Sequence, residues 1–245
     1  PCFLDHLVNI KCRHWDRNIR VLAAKALGAL THLDPSALIN RHLPVLVQGC
    51  TSTDPFTRHG SLLAISSVLD ALKQLPPKLN SGDEETVLPE ALVDSITGIV
   101  PALEDARLFR GKGVELIRAA VCQLIESISK SQLSLKKKPI GAAVAPAPSS
   151  EPVARKVAAP PMVGVRASAR PKMIVYQETI DTCLQMPFDS VQEAAAAAFR
   201  AFSRQYIAPL VVVLPSSSDK SGSAASSSRA TVQKQIEKYC TQDMK

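Results

Sequence analysis

Aromatic residues are scarce in this chain, and their scarcity narrows the range of folds. Only 4% of the 245 residues are Phe, Tyr or Trp, although 46% are hydrophobic. All-β sandwiches and barrels usually draw on more aromatic and β-branched side chains than this. A helical array fits better, because Ala and Leu are sufficient to fill the thin layers between stacked helices.

Long hydrophobic runs and paired cysteines are also missing. The longest apolar run, residues 207–214, is interrupted by Pro209 and is far shorter than the roughly 20 residues that span a bilayer. We therefore expect no membrane span. The six cysteines are scattered without a CxxC pair, which favours a reducing, cytoplasmic location. Because the chain begins at Pro1, within a repeat, we expect it to be part of a longer array.

Motifs for catalysis or for a cofactor are absent from the sequence as well. No Gly-x-Ser-x-Gly elbow occurs, and residues 110–113, RGKG, lack the spacing of a phosphate-binding loop. The glycines there indicate a turn. The five histidines are dispersed, whereas a zinc site needs four converging ligands. We predict neither an enzyme nor a bound cofactor or metal.

The net charge of +7 is concentrated in one segment. Nine basic residues and one acid lie between Lys130 and Lys172, so this segment carries a net charge of +8 and the rest of the chain is nearly neutral. A basic groove for nucleic acid is therefore not expected in the folded part.

A helix-pair unit recurs with a step of 38 residues, from Asp16 to Asp54. Each Asp is expected to cap a helix, and an Arg follows four residues later, at Arg20 and Arg58. Repeats of about this length are typical of HEAT/armadillo arrays, which present a long surface to partners. We predict a structural ladder in which each Arg reaches the Asp of its own or the adjacent unit.

The predicted fold is an all-α, HEAT/armadillo-type α-solenoid with a disordered linker and tail. Residues 1–130 are expected to form helical repeats and residues 131–172 a disordered basic linker rich in Ala, Pro and Ser. Residues 173–215 are expected to add another helix pair, in which Asp189 caps the second helix. Residues 216–245 read as a Ser-rich, low-complexity tail with a short helix. The periodicity predicts helices over residues 3–12, 16–30, 35–49, 54–75, 88–104, 114–129, 173–186 and 190–207.

Two segments resemble the tubulin-specific chaperone D family, also called tubulin-folding cofactor D. Residues 54–64, DPFTRHGSLLA, are similar to that family's MRHGSILA-type segment. Residues 107–126, RLFRGKGVELIRAAVCQLIE, are similar to its RLYRGxGGxLMRxAVCxLIE segment. Residues 190–206 look like a later repeat of the same family. The resemblance covers about residues 16–207 apart from the linker and indicates an internal or C-terminal-half fragment.

The resemblance implies a scaffold that captures β-tubulin after chaperonin folding. With partner cofactors C and E and an ARF-like small GTPase, members of this family assemble or disassemble the α/β-tubulin heterodimer. The complex also stimulates tubulin GTP hydrolysis. The resemblance thus implies a cytoplasmic, cytoskeleton-associated protein without a catalytic or metal site of its own.

Several basic side chains in the resembling segments are candidates for contact with this acidic client. They are Arg58, His59, Arg107, Arg110 and Lys112. The turn at residues 107–113 would present three cations on one exposed edge. The alternative is that these cations are solvated or cap the carboxyl end of the preceding helix.

Other functions remain open from the residues alone. A HEAT-repeat adaptor for another client, similar to karyopherins or phosphatase scaffolds, has the same repeat signature. A helical hydrolase or transferase would need a paired-residue motif that the sequence lacks. A basic linker that binds RNA or microtubules would bind with strong salt dependence.

Overall fold

The computed structural model describes residues 3–75, 88–109, 113–135 and 166–208. Within these ranges every regular element is helical, which confirms the all-α prediction. The α-helices are α1 (Phe3–His6), α2 (Arg17–Leu30), α3 (Pro35–Ala37), α4 (Leu43–Cys50), α5 (Pro55–Gln74), α6 (Glu90–Thr97), α7 (Ile99–Asp105), α8 (Val114–Lys130), α9 (Lys172–Leu184) and α10 (Asp189–Phe202). Short π-helical turns occupy Leu7–Lys11, Leu38–His42 and Ser203–Ile207, and a 3₁₀ turn occupies Ala167–Ala169.

The described helices form four pairs that stack in chain order. The first helices of the pairs are α1, α3–α4, α6–α7 and α9, and the second helices are α2, α5, α8 and α10. Helix α2 packs on α5, α5 packs on α8, and α8 packs on α10. Because each pair buries its apolar face against the next, the arrangement is the predicted HEAT-type α-solenoid.

The helix caps follow the predicted pattern in the first two pairs. The Asp16 carboxylate accepts a hydrogen bond from the backbone N–H of Asn18 at 2.7 Å, and that of Asp54 accepts from Thr57 N–H at 2.8 Å. The prediction for Asp189 is wrong by one residue. Phe188 occupies the N-cap position with an extended backbone, and Asp189 is the first helical residue. In that first turn its negative charge still faces the positive end of the helix dipole.

A single hydrophobic core runs through the stacked pairs. Leu27 on α2 and Leu124 on α8 are completely buried in it, as their positions on the inner faces of second helices predict. Two glycines allow close packing of neighbouring segments. A Cβ at Gly60 would lie 1.7 Å from the Cys12 carbonyl oxygen, and one at Gly28 would lie 2.9 Å from the Ser67 carbonyl oxygen.

The predicted helix over residues 88–104 is broken in the structure. It divides into α6 and α7 at Gly98, three residues before Pro101. Proline has no N–H to bond the carbonyl four residues earlier, which here belongs to Thr97. The buried Tyr176 hydroxyl on α9 donates to that carbonyl oxygen at 3.0 Å instead. The break is therefore also the place where the fourth pair attaches to the third.

The ends of the predicted linker are ordered into the array, which corrects its boundaries. Leu135 is buried in the core. At the other end the Asp105 carboxylate accepts from the backbone N–H groups of Ala167 and Ser168. Helix α9 starts at Lys172, whose ammonium group donates to the Thr97 hydroxyl at 2.7 Å. The remaining linker prediction, residues 136–165, and the tail prediction, residues 216–245, lie outside the described residues.

None of the helices in the described ranges combines the length and the apolar character needed to cross a membrane.

Candidate protein-binding surface

The buried arginine of the first unit connects two repeats. Arg20 is only 2% exposed. Its Nη1 donates to the carbonyl oxygens of His14 and Trp15 at 2.7 and 2.8 Å, just before the Asp16 cap. Its Nε donates to Nδ1 of His59, in the second unit, at 3.1 Å. The side chain therefore closes its own interhelix turn and reaches the next pair.

The second unit repeats this geometry. Arg58 donates to the carbonyl oxygens of Ser52 and Thr53, which occupy the same positions relative to Asp54. Its Nη1 donates to the carbonyl oxygen of Leu108, in the third unit, at 3.2 Å. In each of the first two units, the arginine four residues after the capping Asp thus links that unit to the next one.

The predicted ladder exists, but its proposed partners are wrong. The guanidinium groups of Arg20 and Arg58 bond to carbonyl oxygens and to His59, and not to the carboxylates of Asp16 and Asp54. Those carboxylates are occupied with capping their own helices. They act on Arg20 only through space, where their charges partly offset the lowering of its pKa by burial.

Arg58 and His59 do not fit the prediction that they contact a partner. They are only 6% and 4% exposed, and the Arg58 guanidinium and His59 Nδ1 are hydrogen-bonded within the array, although the His59 ring lines a groove described below. Burial, reinforced by the positive charges of Arg20 and Arg17, lowers the pKa of His59 to about 4. The imidazole is therefore neutral at physiological pH, and its Nδ1 is available to accept from Arg20.

Residues 58–61, RHGS, form a structural junction between units. Besides Arg58 and His59, Gly60 lets α5 approach the Cys12 carbonyl, and Ser61 packs against Gly49 on α4. Its four residues contact the first and third units and the first helix of their own pair. Sequence similarity to other proteins in this segment therefore reflects the way in which the repeats are stacked.

The basic turn after α7 is only partly described. Arg107 is exposed and adopts φ 54°, in the left-handed region. Its N–H bonds the Glu104 carbonyl and the Leu108 N–H bonds the Leu103 carbonyl, which is a Schellman motif at the end of α7. Gly113 before α8 also has a positive φ, 75°, as a turn glycine should. Arg110 and Lys112 lie outside the described residues.

The exposed side of the second helices carries two polar grooves. A first groove of about 450 Å³ runs between α2, α5 and α8. Its charged lining residues are Arg17, Lys25, Asp70 and Glu126. We call this exposed side of α2, α5, α8 and α10 the second-helix face.

A second groove of about 380 Å³ continues the same face between α8 and α10. Its cations are Lys73, Lys130, Arg200 and Arg204. Sequence reasoning missed this cluster, because the four residues come from α5, α8 and the segment formed by α10 and its π-helical turn, which are far apart in the chain. The sequence feature that could have indicated the cluster is the position of Lys73, Lys130 and Arg200, each in the last turn of a second helix.

These features define a helical-repeat scaffold: stacked pairs, a continuous core and a polar exposed face. The chain is similar to Tubulin-specific chaperone D of Dictyostelium discoideum, with 32% identity over 137 residues. The matched region is 56% of this chain and 9% of that protein, so the chain spans only a small part of its curated relative. The resemblance predicted from residues 54–64 and 107–126 is thereby confirmed. No family model matches the chain, and no solved structure matches it.

Proposed function

We propose that this chain is part of a tubulin-folding cofactor and contributes a segment of the surface that binds β-tubulin. The observation that carries the proposal is the 32% identity to Tubulin-specific chaperone D. The stacked pairs support it physically, because an α-solenoid offers an extended face for a large protein client. In this proposal the protein works in the cytoplasm, in association with the cytoskeleton.

Binding, and not catalysis by this chain, is the proposed mode of action. In the described ranges no three His, Cys, Asp or Glu side chains converge in a way that would hold a metal. The histidine in the best-defined polar junction, His59, is buried and bonded to Arg20. Any stimulation of tubulin GTP hydrolysis is proposed to arise in the assembly with cofactors C and E and the ARF-like GTPase.

The second-helix face is the proposed contact surface. Helices α5, α8 and α10 present their polar residues there, while the arginine junctions stay inside the array. Rigid stacking fixes the relative positions of these residues before the client arrives, which lowers the entropic cost of binding.

A direct binding experiment tests the proposal. The full chain is immobilised and exposed to purified α/β-tubulin, and an unrelated acidic protein of similar net charge serves as the comparison. We expect saturable retention of tubulin and little retention of the comparison protein at physiological salt. Equal retention of both proteins, or of neither, would refute a tubulin-binding role for this chain.

A further inference from the structure

We propose that the groove between α8 and α10 binds an acidic, extended polypeptide segment of the client. The groove, defined by Lys73, Lys130, Arg200 and Arg204, is called the basic groove below. The inference rests on the proposed function and adds the place and the chemistry of one contact.

The charges in the basic groove are only partly balanced by neighbouring acids, because Asp70 attracts Lys73 and Lys130 through space. Glu126 also lines it, and its carboxylate pairs with the Lys130 ammonium at 2.7 Å. Within the described part of the chain, no carboxylate lies within 4.0 Å of the cationic groups of Lys73, Arg200 or Arg204. Arg200 and Arg204 therefore remain without an acid partner among the described residues, and Lys73 has only the through-space attraction of Asp70.

Composition does not account for this cluster. Lys and Arg barely outnumber Asp and Glu in the described ranges. Several other cations there are already paired, for example Arg41 with Asp5 and Lys172 with Asp94.

Helix stability does not account for it either. Arg200 lies in the last turn of α10 and Arg204 lies four residues later, in the π-helical turn that follows it. Like charges this close along a helical segment are mildly destabilising. Both are exposed, and Lys73 at the edge of the groove is exposed as well. An anionic ligand would relieve this repulsion.

The spacing of the two arginines suits an extended peptide. Four residues advance about 6 Å along an α-helix, and the π-helical turn that holds Arg204 continues directly from α10. Alternate side chains on one side of an extended chain are about 6.6 Å apart. Two alternate carboxylates can therefore each meet one guanidinium group, and such pairs form with two parallel hydrogen bonds. Lys73 and Lys130 then face the same segment from the other wall.

The test is a titration of the full chain with a fluorescein-labelled decaglutamate peptide, followed by fluorescence anisotropy. The variant is Arg200→Glu with Arg204→Glu. The matched control is Lys11→Glu with Arg13→Glu, which makes the same change in net charge outside both grooves. We expect at least tenfold weaker binding for the groove variant, less than twofold change for the control, and weaker binding of the peptide to the wild type at higher salt.

Helicity and the thermal midpoint are recorded for both variants, and they should stay unchanged because Arg200 and Arg204 are exposed. Equal losses of peptide affinity in the two variants, or no binding of the peptide to the wild type even at low salt, would overturn the proposal. A decathymidine oligonucleotide that binds more tightly and depends on the same arginines would make the groove a phosphate site instead. Tubulin retention by the groove variant is measured in parallel. If the wild type binds tubulin but does not bind decaglutamate, this inference is wrong and the proposed function stands.

Discussion

Acid is expected to destabilise the array at the junction between Arg20 and His59. Arg20 Nε donates to His59 Nδ1 at 3.1 Å, so this ring nitrogen must be unprotonated in the folded protein. Burial and the charges of Arg20 and Arg17 lower the pKa of His59 to about 4. A histidine in the unfolded chain has a pKa of about 6.5.

The sign of the effect follows from these two pKa values. As the pH falls through 6.5 the unfolded chain gains a proton that the folded chain does not, so the free energy of unfolding decreases. The stabilisation is complete above pH 6.5 and is lost by pH 4. The difference in pKa corresponds to about 3 kcal/mol in total, of which about 2 kcal/mol is already lost at pH 5.

The assay is urea unfolding of the full chain from pH 7.5 to 4, with His59→Asn as the variant. The Asn amide oxygen can accept from Arg20 without titrating. We expect the variant to lose about 2 kcal/mol less than the wild type between pH 7.5 and 5. Burial also lowers the pKa of His42, but its contribution is common to both proteins and cancels. Replacement of the exposed His32 by Asn controls for the loss of an imidazole. An identical pH dependence in wild type and His59→Asn would refute the reasoning.

Three further changes test the packing by urea unfolding. Gly60→Ala should cost at least about 3 kcal/mol, because its Cβ would lie 1.7 Å from the backbone oxygen of Cys12. Leu124→Ala should cost about 2–5 kcal/mol, because its fully buried side chain would leave a cavity between stacked pairs. Tyr176→Phe should cost about 1–3 kcal/mol, because it leaves the Thr97 carbonyl without its donor.

Matched variants distinguish these effects from a general sensitivity of the fold to substitution. Gly49→Ala should be milder than Gly60→Ala, because its new Cβ meets the Ser61 hydroxyl, which can rotate away. Leu22→Ala should cost little, since Leu22 is 63% exposed. A Gly60 variant as stable as the wild type would contradict the close helix approach. Unchanged stability of Leu124→Ala or Tyr176→Phe would contradict the assigned core or the α6–α9 contact.

Local signals in the sequence predicted the helices and most of their ends. Asp16 and Asp54 stand before apolar residues at helical spacing, and both cap second helices in the structure. Periodicity also identified Leu27 and Leu124 as core residues. These features depend on neighbours within one or two turns, which a sequence displays directly.

Contacts between distant residues could not be predicted in the same way. Periodicity assigns a side chain to the inner or the outer face of a helix, but it does not identify the partner across the interface. Arg20 meets His59 from 39 residues away, and Tyr176 reaches Thr97 from 79 residues away. The near-complete burial of His59 was not predicted for this reason: the exposure of a polar side chain depends on which helix is packed over it.

The central claim, that the second-helix face receives the client, is tested most directly by hydrogen–deuterium exchange of the full chain with and without tubulin. We expect slower exchange in peptides from α5, α8 and α10 when tubulin is present, with little change in the first helices α4 and α9. Protection confined to the first helices, or no protection of any helix at saturating tubulin, would contradict it.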